Sequence, residues 1–141
     1  KKIFNKKKKT KKIHIDGDEV RKYLSDDLGY SRNDRRENSK RIIKLCKYLE
    51  NKNYVVVCSI LSIFRDHQKN NRVNFNKYIQ IFINAKKSTL IDRDKKNIYG
   101  RKKNIVGKDI VFYKPYKSDL EINAEDSPIK NLKKIKKIIY A

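Results

Sequence analysis

The run YVVVC at 54–58 constrains this chain more than any other five residues. Its three consecutive valines leave no polar face. Such a run predicts a strand of a parallel sheet, covered on both faces. Three further short runs read as strands: KKIHI (11–15), YIQIFIN (78–84) and SDLEIN (118–123). Helical signals fall between them. EVRKYLSDD (19–27) reads as a short helix stopped by Gly29. Ser31, with Asp34 three residues on, is a capping signal for a helix running to about Lys52. Ile42, Leu45, Cys46 and Leu49 share one face of that helix. RDHQKNNRV (65–73) and AKKSTLIDRDKK (85–96) also read as helices. A final helix spans 127–140, with Ser127 as cap, Pro128 at its first position and a stripe of Ile129, Leu132, Ile135 and Ile139. Strands alternating with helices predict an α/β fold with a parallel sheet and flanking helices. Residues 97–117 carry no clear period and are expected to form a lid or binding loop.

The chain has 141 residues, enough for a single domain with a real core. Its net charge of +22 raises the question of a nucleic-acid partner. Composition argues against one. Lys, Asn and Ile number 29, 14 and 19, and all three are favoured by AT-rich codons. The lysines are scattered along the chain instead of forming one patch. Cys46 and Cys58 each lie in an apolar run, outside any CxxC pattern, and are expected as buried reduced thiols. That points to a reducing, cytoplasmic compartment. His14 and His67 are isolated, so no metal cluster is expected. No apolar run approaches a membrane span, and KKIFNKKKKTKK lacks the apolar core of a signal peptide. The chain has no methionine and begins with lysine, which reads as part of a longer protein.

The chemistry concentrates in IDGDEVRKYLSDDLGYSRNDRRENSKRI (15–42). Asp16-Gly17-Asp18 follows a strand and precedes a helix, where parallel α/β sheets bind ligands. A carboxylate there can take a proton from a hydroxyl. It can equally be a turn with a helix cap. Arg21 follows Asp18 by one turn, Arg35 and Asn38 share a face of the next helix, and Tyr30 stands at its entry. Two guanidinium forks, an amide, a ring and a carboxylate are the parts needed to hold an anionic nucleotide and deprotonate its hydroxyl.

The stretch DGDEVRKYLSDDLGYSRNDRRENSKRI resembles the adenylylsulfate kinase (APS kinase) family, whose pattern runs DGDNVR, DLGFS, DREENIRR. CSILSIF (58–64) is similar to the family's TSFISPY, RDKKNIYGR (93–101) to RDPKGLYKK, and NIVGKDI (104–110) to NVVGVDIPF. The likeness covers roughly residues 13–123 in register. It implies a P-loop kinase-like parallel sheet and transfer of the γ-phosphoryl of ATP, with Mg2+, to the 3′-hydroxyl of adenylylsulfate. It also implies roles: Asp18 as the group that orients or deprotonates that hydroxyl, and Arg21 and Arg35 on the phosphosulfate with Asn38 beside them. Tyr30 stands for the family's Phe and would stack on adenine. Ser62 matches a serine known in the family as a phosphoserine position and would stand with Asp18 as a catalytic residue, and Lys96 matches the lid lysine, which would bind substrate by meeting its phosphate charge. A homodimer is left open.

Three departures accompany the resemblance. Ile63 replaces a proline, and Ile105-Val106 stand where many members carry Phe-Thr. Most importantly, GxxxxGK[ST] is absent: the four glycines are Gly17, Gly29, Gly100 and Gly107, and none has that spacing. The expectation is a partial kinase domain, missing its first strand and P-loop, with Ile3–Lys12 as the end of the helix that should follow the P-loop. Such a piece should be inactive alone. Two other readings remain: a related kinase for another nucleotide's 3′-hydroxyl, and a degenerate non-catalytic homologue or basic nucleic-acid-binding fragment.

Overall fold

A computed structural model describes residues 11–94, 97–101 and 103–140. The chain forms two compact units, Lys1–Ser62 and Ile63–Ala141. No helix among the described residues is long and apolar enough to cross a membrane.

The first unit holds β1 (Lys11–Asp16), α1 (Gly17–Leu24), α2 (Arg32–Asn51) and β2 (Tyr54–Ser59). β1 and β2 pair in parallel from Lys11↔Tyr54 to Asp16↔Ser59. Lys11 and Lys12 are therefore strand residues, not the end of a helix, and the rest of Ile3–Lys12 lies outside the described residues. α2 packs on β2, and α1 packs on β1 and α2. Ile15, Ile42 and Cys46 are the buried apolar residues among the described residues of this unit. Leu45 and Leu49 of the expected stripe are half-buried.

α2 starts where Ser31 and Asp34 predict. The Ser31 hydroxyl accepts from the Asp34 amide at 3.2 Å, and the Asp34 carboxylate accepts from the Ser31 amide at 3.2 Å. α1 begins two residues earlier than expected and ends sooner, because Asp16 caps it. The Asp16 carboxylate accepts from the amides of Asp18 at 2.9 Å and Glu19 at 3.1 Å. Two of the four orphan donors at the helix start are thereby satisfied.

The expectation for YVVVC fails in one respect. β2 is a parallel strand, but Val55 and Val57 are 49% and 55% exposed, and Cys58 is exposed. Burial alternates along the strand, with Tyr54 and Val56 half-buried between exposed neighbours. A strand is buried on both faces only when a layer covers each face. Here α2 covers one of them.

The second unit holds α3 (Arg65–Asn74), β3 (Ile81–Asn84), α4 (Lys87–Asp92), α5 (Ile98–Arg101), β4 (Leu120–Asn123) and α6 (Pro128–Ile139). β3 and β4 pair in parallel, Ile81↔Leu120 to Asn84↔Asn123. Ile63, Phe64 and Ile110 form a buried cluster, with Val106 packed against it. The strands are shorter than the runs at 78–84 and 118–123. Asp119 ends the pairing: its carboxylate accepts from the Gln80 amide at 2.7 Å and from Arg72 at 2.9 and 3.0 Å. α4 is likewise shorter than the expected 85–96. α6 has the predicted cap, Ser127 accepting from the Lys130 amide at 3.3 Å. Its stripe is not buried, however: Ile129 is 71% and Leu132 50% exposed. The helix packs on β4 through a neighbouring face, where the Asn131 amide donates to the Asn123 carbonyl at 2.8 Å.

Candidate functional site

The DGD motif sits at the carboxyl end of β1, as its sequence context predicts. Each residue of it has a different physical task. Asp16 is the cap of α1. Gly17 is needed for close approach: a Cβ there would lie 2.8 Å from the Ile60 Cγ2 and 3.2 Å from the Ser59 carbonyl oxygen. Asp18 is exposed in the first turn, where a helix N-terminus favours carboxylates. Ser62 lies in the irregular segment after β2. Because Asp16 pairs with Ser59, Asp18 and Ser62 both follow the same end of the two-stranded sheet.

Arg21, Tyr30 and Arg35 are brought together. The Arg21 guanidinium donates to the Gly29 carbonyl, and to the Leu28 carbonyl at 3.4 Å. Its carbon lies 4.3 Å from the Tyr30 ring centroid. Arg35 Nε donates to the Tyr30 carbonyl at 3.1 Å, and its guanidinium lies 5.4 Å from the same centroid. The ring face attracts both cations. The cations repel each other. Arg35 is held below the ordinary arginine range, first by burial and then by the charge of Arg21, with Tyr30 pulling the other way. Guanidinium stays charged in proteins, so the cluster concentrates positive charge. The carbonyls that hold Arg21 are neutral and do not offset it. One turn beyond Arg35, the Asn38 Oδ1 is buried with no hydrogen-bond partner among the described residues. That acceptor suits a ligand hydroxyl or amine.

The other acids and arginines of 15–42 divide differently. Asp27 belongs to an ion pair apart from the arginine cluster. Its carboxylate takes both forks of Arg41, at 2.5 and 2.8 Å, and Arg41 also donates to the Leu24 carbonyl at 2.8 Å. This pair fastens the end of α1 to α2. The hydrogen bond from Arg41 is the main cause of the lowered Asp27 pKa. Sequence spacing could not separate Arg41 from Arg35, since both lie on α2 and only their partners distinguish them.

Lys96 lies outside the described residues. Within 97–117, the structure is more regular than its sequence. Residues 98–101 are helical, and Ile105 to Ile110 form a tight turn. The Ile105 carbonyl accepts from the amides of Lys108, Asp109 and Ile110, and Gly107 adopts φ +86°. Ile105 is only 4% exposed, so it belongs to the core and offers no stacking face.

The family model for adenylylsulphate kinase matches residues 1–123. The chain belongs to that family. It is 31% identical over 124 residues to the adenylyl-sulfate kinase of Geotalea daltonii, covering 83% of this chain and 61% of that one. It is 34% identical over 116 residues to the cytidine diphosphoramidate kinase of Campylobacter jejuni, covering 79% and 67%. The chain thus spans about three-fifths of the Geotalea relative's length. Its fold matches the Mycobacterium tuberculosis APS kinase in complex with AMPPNP and APS at a TM-score of 0.81 and 22% identity, covering 94% of this chain and 81% of that one. The fold is therefore the α/β fold of the P-loop kinases. Homology to two differently named kinases makes the family's chemistry phosphoryl transfer, with the acceptor open.

Proposed function

We propose that this chain supplies the acceptor half of an adenylylsulfate kinase, which transfers the γ-phosphoryl of ATP to the 3′-hydroxyl of adenylylsulfate. The observation that carries the reading is the convergence of Arg21 and Arg35 on Tyr30. Two cations near one aromatic ring make a seat for a ligand with an anionic centre and a flat base. The phosphosulfate would bridge the guanidiniums and relieve their repulsion. Asn38 would accept a hydrogen bond from a ribose hydroxyl or base amine. Asp18 would accept the proton of the 3′-hydroxyl as the oxygen attacks phosphorus. Positioning and charge do most of the work in such transfers.

The donor side does not fit the residues in hand. Residues 1–141 contain no GxxxxGK[ST], so nothing here is assigned to the ATP phosphates. No group of three or more His, Cys, Asp or Glu converges among the described residues, so Mg2+ has no protein cage there. We assign no step to it.

A second acceptor is supported by the Campylobacter relative and by the burial of Ile105, which removes one candidate partner for adenine. The test is a coupled kinase assay on the full-length protein with ATP and either adenylylsulfate or cytidine diphosphoramidate. Turnover of adenylylsulfate, abolished in Asp18→Asn and Arg35→Ala, is expected. Turnover of the cytidine substrate alone would transfer the site to the second reading. Turnover of both substrates unchanged in Asp18→Asn would refute the role given to Asp18.

A further inference from the structure

Residues 25–31 join α1 to α2 and carry Tyr30 near their far end. Asp27 and Arg41 stand 14 positions apart in the sequence, and the fold closes that distance. Arg41 sets both arms of its guanidinium on the Asp27 carboxylate, at 2.5 and 2.8 Å, and one arm also donates to the Leu24 carbonyl at 2.8 Å. Glu37, one turn earlier on α2, stands 3.9 Å from the Arg41 Nε and adds its charge. The other end of the loop is fixed by the Ser31–Asp34 cap. Gly29 fits closely against that cap: a Cβ there would lie 2.9 Å from the Asp34 Oδ2. Between the two fixed ends lie the Leu28 and Gly29 carbonyls, which accept from Arg21. The Leu28 amide donates to the Ser25 carbonyl at 3.1 Å, which closes the turn from Ser25 to Leu28.

We propose that Asp27 and Arg41 are positioning residues for the acceptor: a latch that holds the loop so that its carbonyls aim Arg21 at the Tyr30 ring. The inference rests on the reading of Arg21, Arg35 and Tyr30 as the acceptor's seat. An exposed ion pair adds little to global stability. It can still set the conformation of a loop, because two parallel bonds and a third to the backbone fix orientation as well as distance. With the latch open, the Leu28 and Gly29 carbonyls no longer hold the Arg21 guanidinium in place. Only the fraction of molecules with a formed seat then binds the acceptor at full strength. The transfer step itself is spared, since Asp18 is held at the opposite end of α1 beside the Asp16 cap.

The test measures steady-state kinetics of the full-length protein with ATP and adenylylsulfate, and hydrogen exchange at the Leu28 amide, in Arg41→Gln, Asp27→Asn and Arg41→Lys. Arg41→Gln and Asp27→Asn should each raise the KM for adenylylsulfate about two- to fivefold, with kcat and the KM for ATP as in the parent. Exchange at Leu28 should quicken by a similar factor. Arg41→Lys keeps the charge but lacks the fork, so it should recover only part of the KM. In an Arg21→Ala background, Arg41→Gln should add nothing, because the residue through which it acts is gone. A lower kcat at unchanged acceptor KM would mark a general loss of folded enzyme and overturn the proposal. So would faster exchange at Leu28 with unchanged KM, or effects of Arg41→Gln and Arg21→Ala that simply add. An unchanged KM in Arg21→Ala alone would instead sink the reading of the seat, and the latch with it.

Discussion

Replacing Ser31 by alanine isolates the device that places Arg35. α2 has 20 residues and opens with four amides lacking helical partners. Ser31 and Asp34 satisfy two of them reciprocally, and the Ser31 hydroxyl also donates to the Asp34 carboxylate at 2.6 Å. Ser31→Ala removes the hydroxyl but leaves the Ser31 amide free to reach Asp34. The expected cost is that of one cap, about 1 kcal/mol, while Ser31→Gly costs only a few tenths. A loss of about 1 kcal/mol multiplies local opening about fivefold. Hydrogen exchange at the amides of Asp34 and Arg35 should accelerate by that factor, and the denaturation midpoint should fall. The Arg35 amide bonds to the Ser31 carbonyl at 3.0 Å, so exchange there reports the first turn directly. If Ser31→Gly cost as much as Ser31→Ala, or neither changed exchange at Asp34, the capping argument would be refuted.

Gly17→Ala should destabilise the first unit by about 1–3 kcal/mol, read by chemical denaturation, because its Cβ would press on Ile60 and on the Ser59 carbonyl. Ile42→Ala, at 2% exposure, should cost about 2–5 kcal/mol, whereas Ile129→Lys, at 71% exposure, should stay within about 0.5 kcal/mol. Asp119 gives a pH signature. Burial alone would raise its pKa, but hydrogen bonds from Arg72 and the Gln80 amide outweigh burial and lower it. Its contribution is therefore complete above the unfolded value of about 3.9 and lost as pH falls through the lowered folded value. Thermal melts between pH 5 and about 2 should show a steeper acid loss in the parent than in Arg72→Gln.

The parts legible in the sequence were those with local causes. Ser31 with Asp34, and Ser127 with Pro128, announce helix starts because a cap is a three-residue affair. The Asp16-Gly17-Asp18 turn was legible as a strand end, and Arg21, Tyr30 and Arg35 as a charged cluster. What escaped depends on contacts far apart in the chain. YVVVC gives no sign of which face a helix will cover, so the exposure of Val55 and Val57 could not be read from it. The α6 stripe was legible as amphipathic, but the face meeting β4 is set by Asn131 and its neighbours. Ile105 looked like a lid residue because no period in 97–117 signals its burial.

The central claim is that Arg21 and Arg35 form one anion seat at Tyr30. Isothermal titration of adenylylsulfate into the full-length protein, compared with Arg21→Ala and Arg35→Ala, tests it most directly. Each substitution removes charge-assisted hydrogen bonds worth about 1.5–3 kcal/mol, so affinity should fall about 10- to 100-fold in each. Their combined effect should depart from additivity, since the two cations share a ring and a ligand. Unchanged affinity in either variant, with the fold intact, would contradict the account.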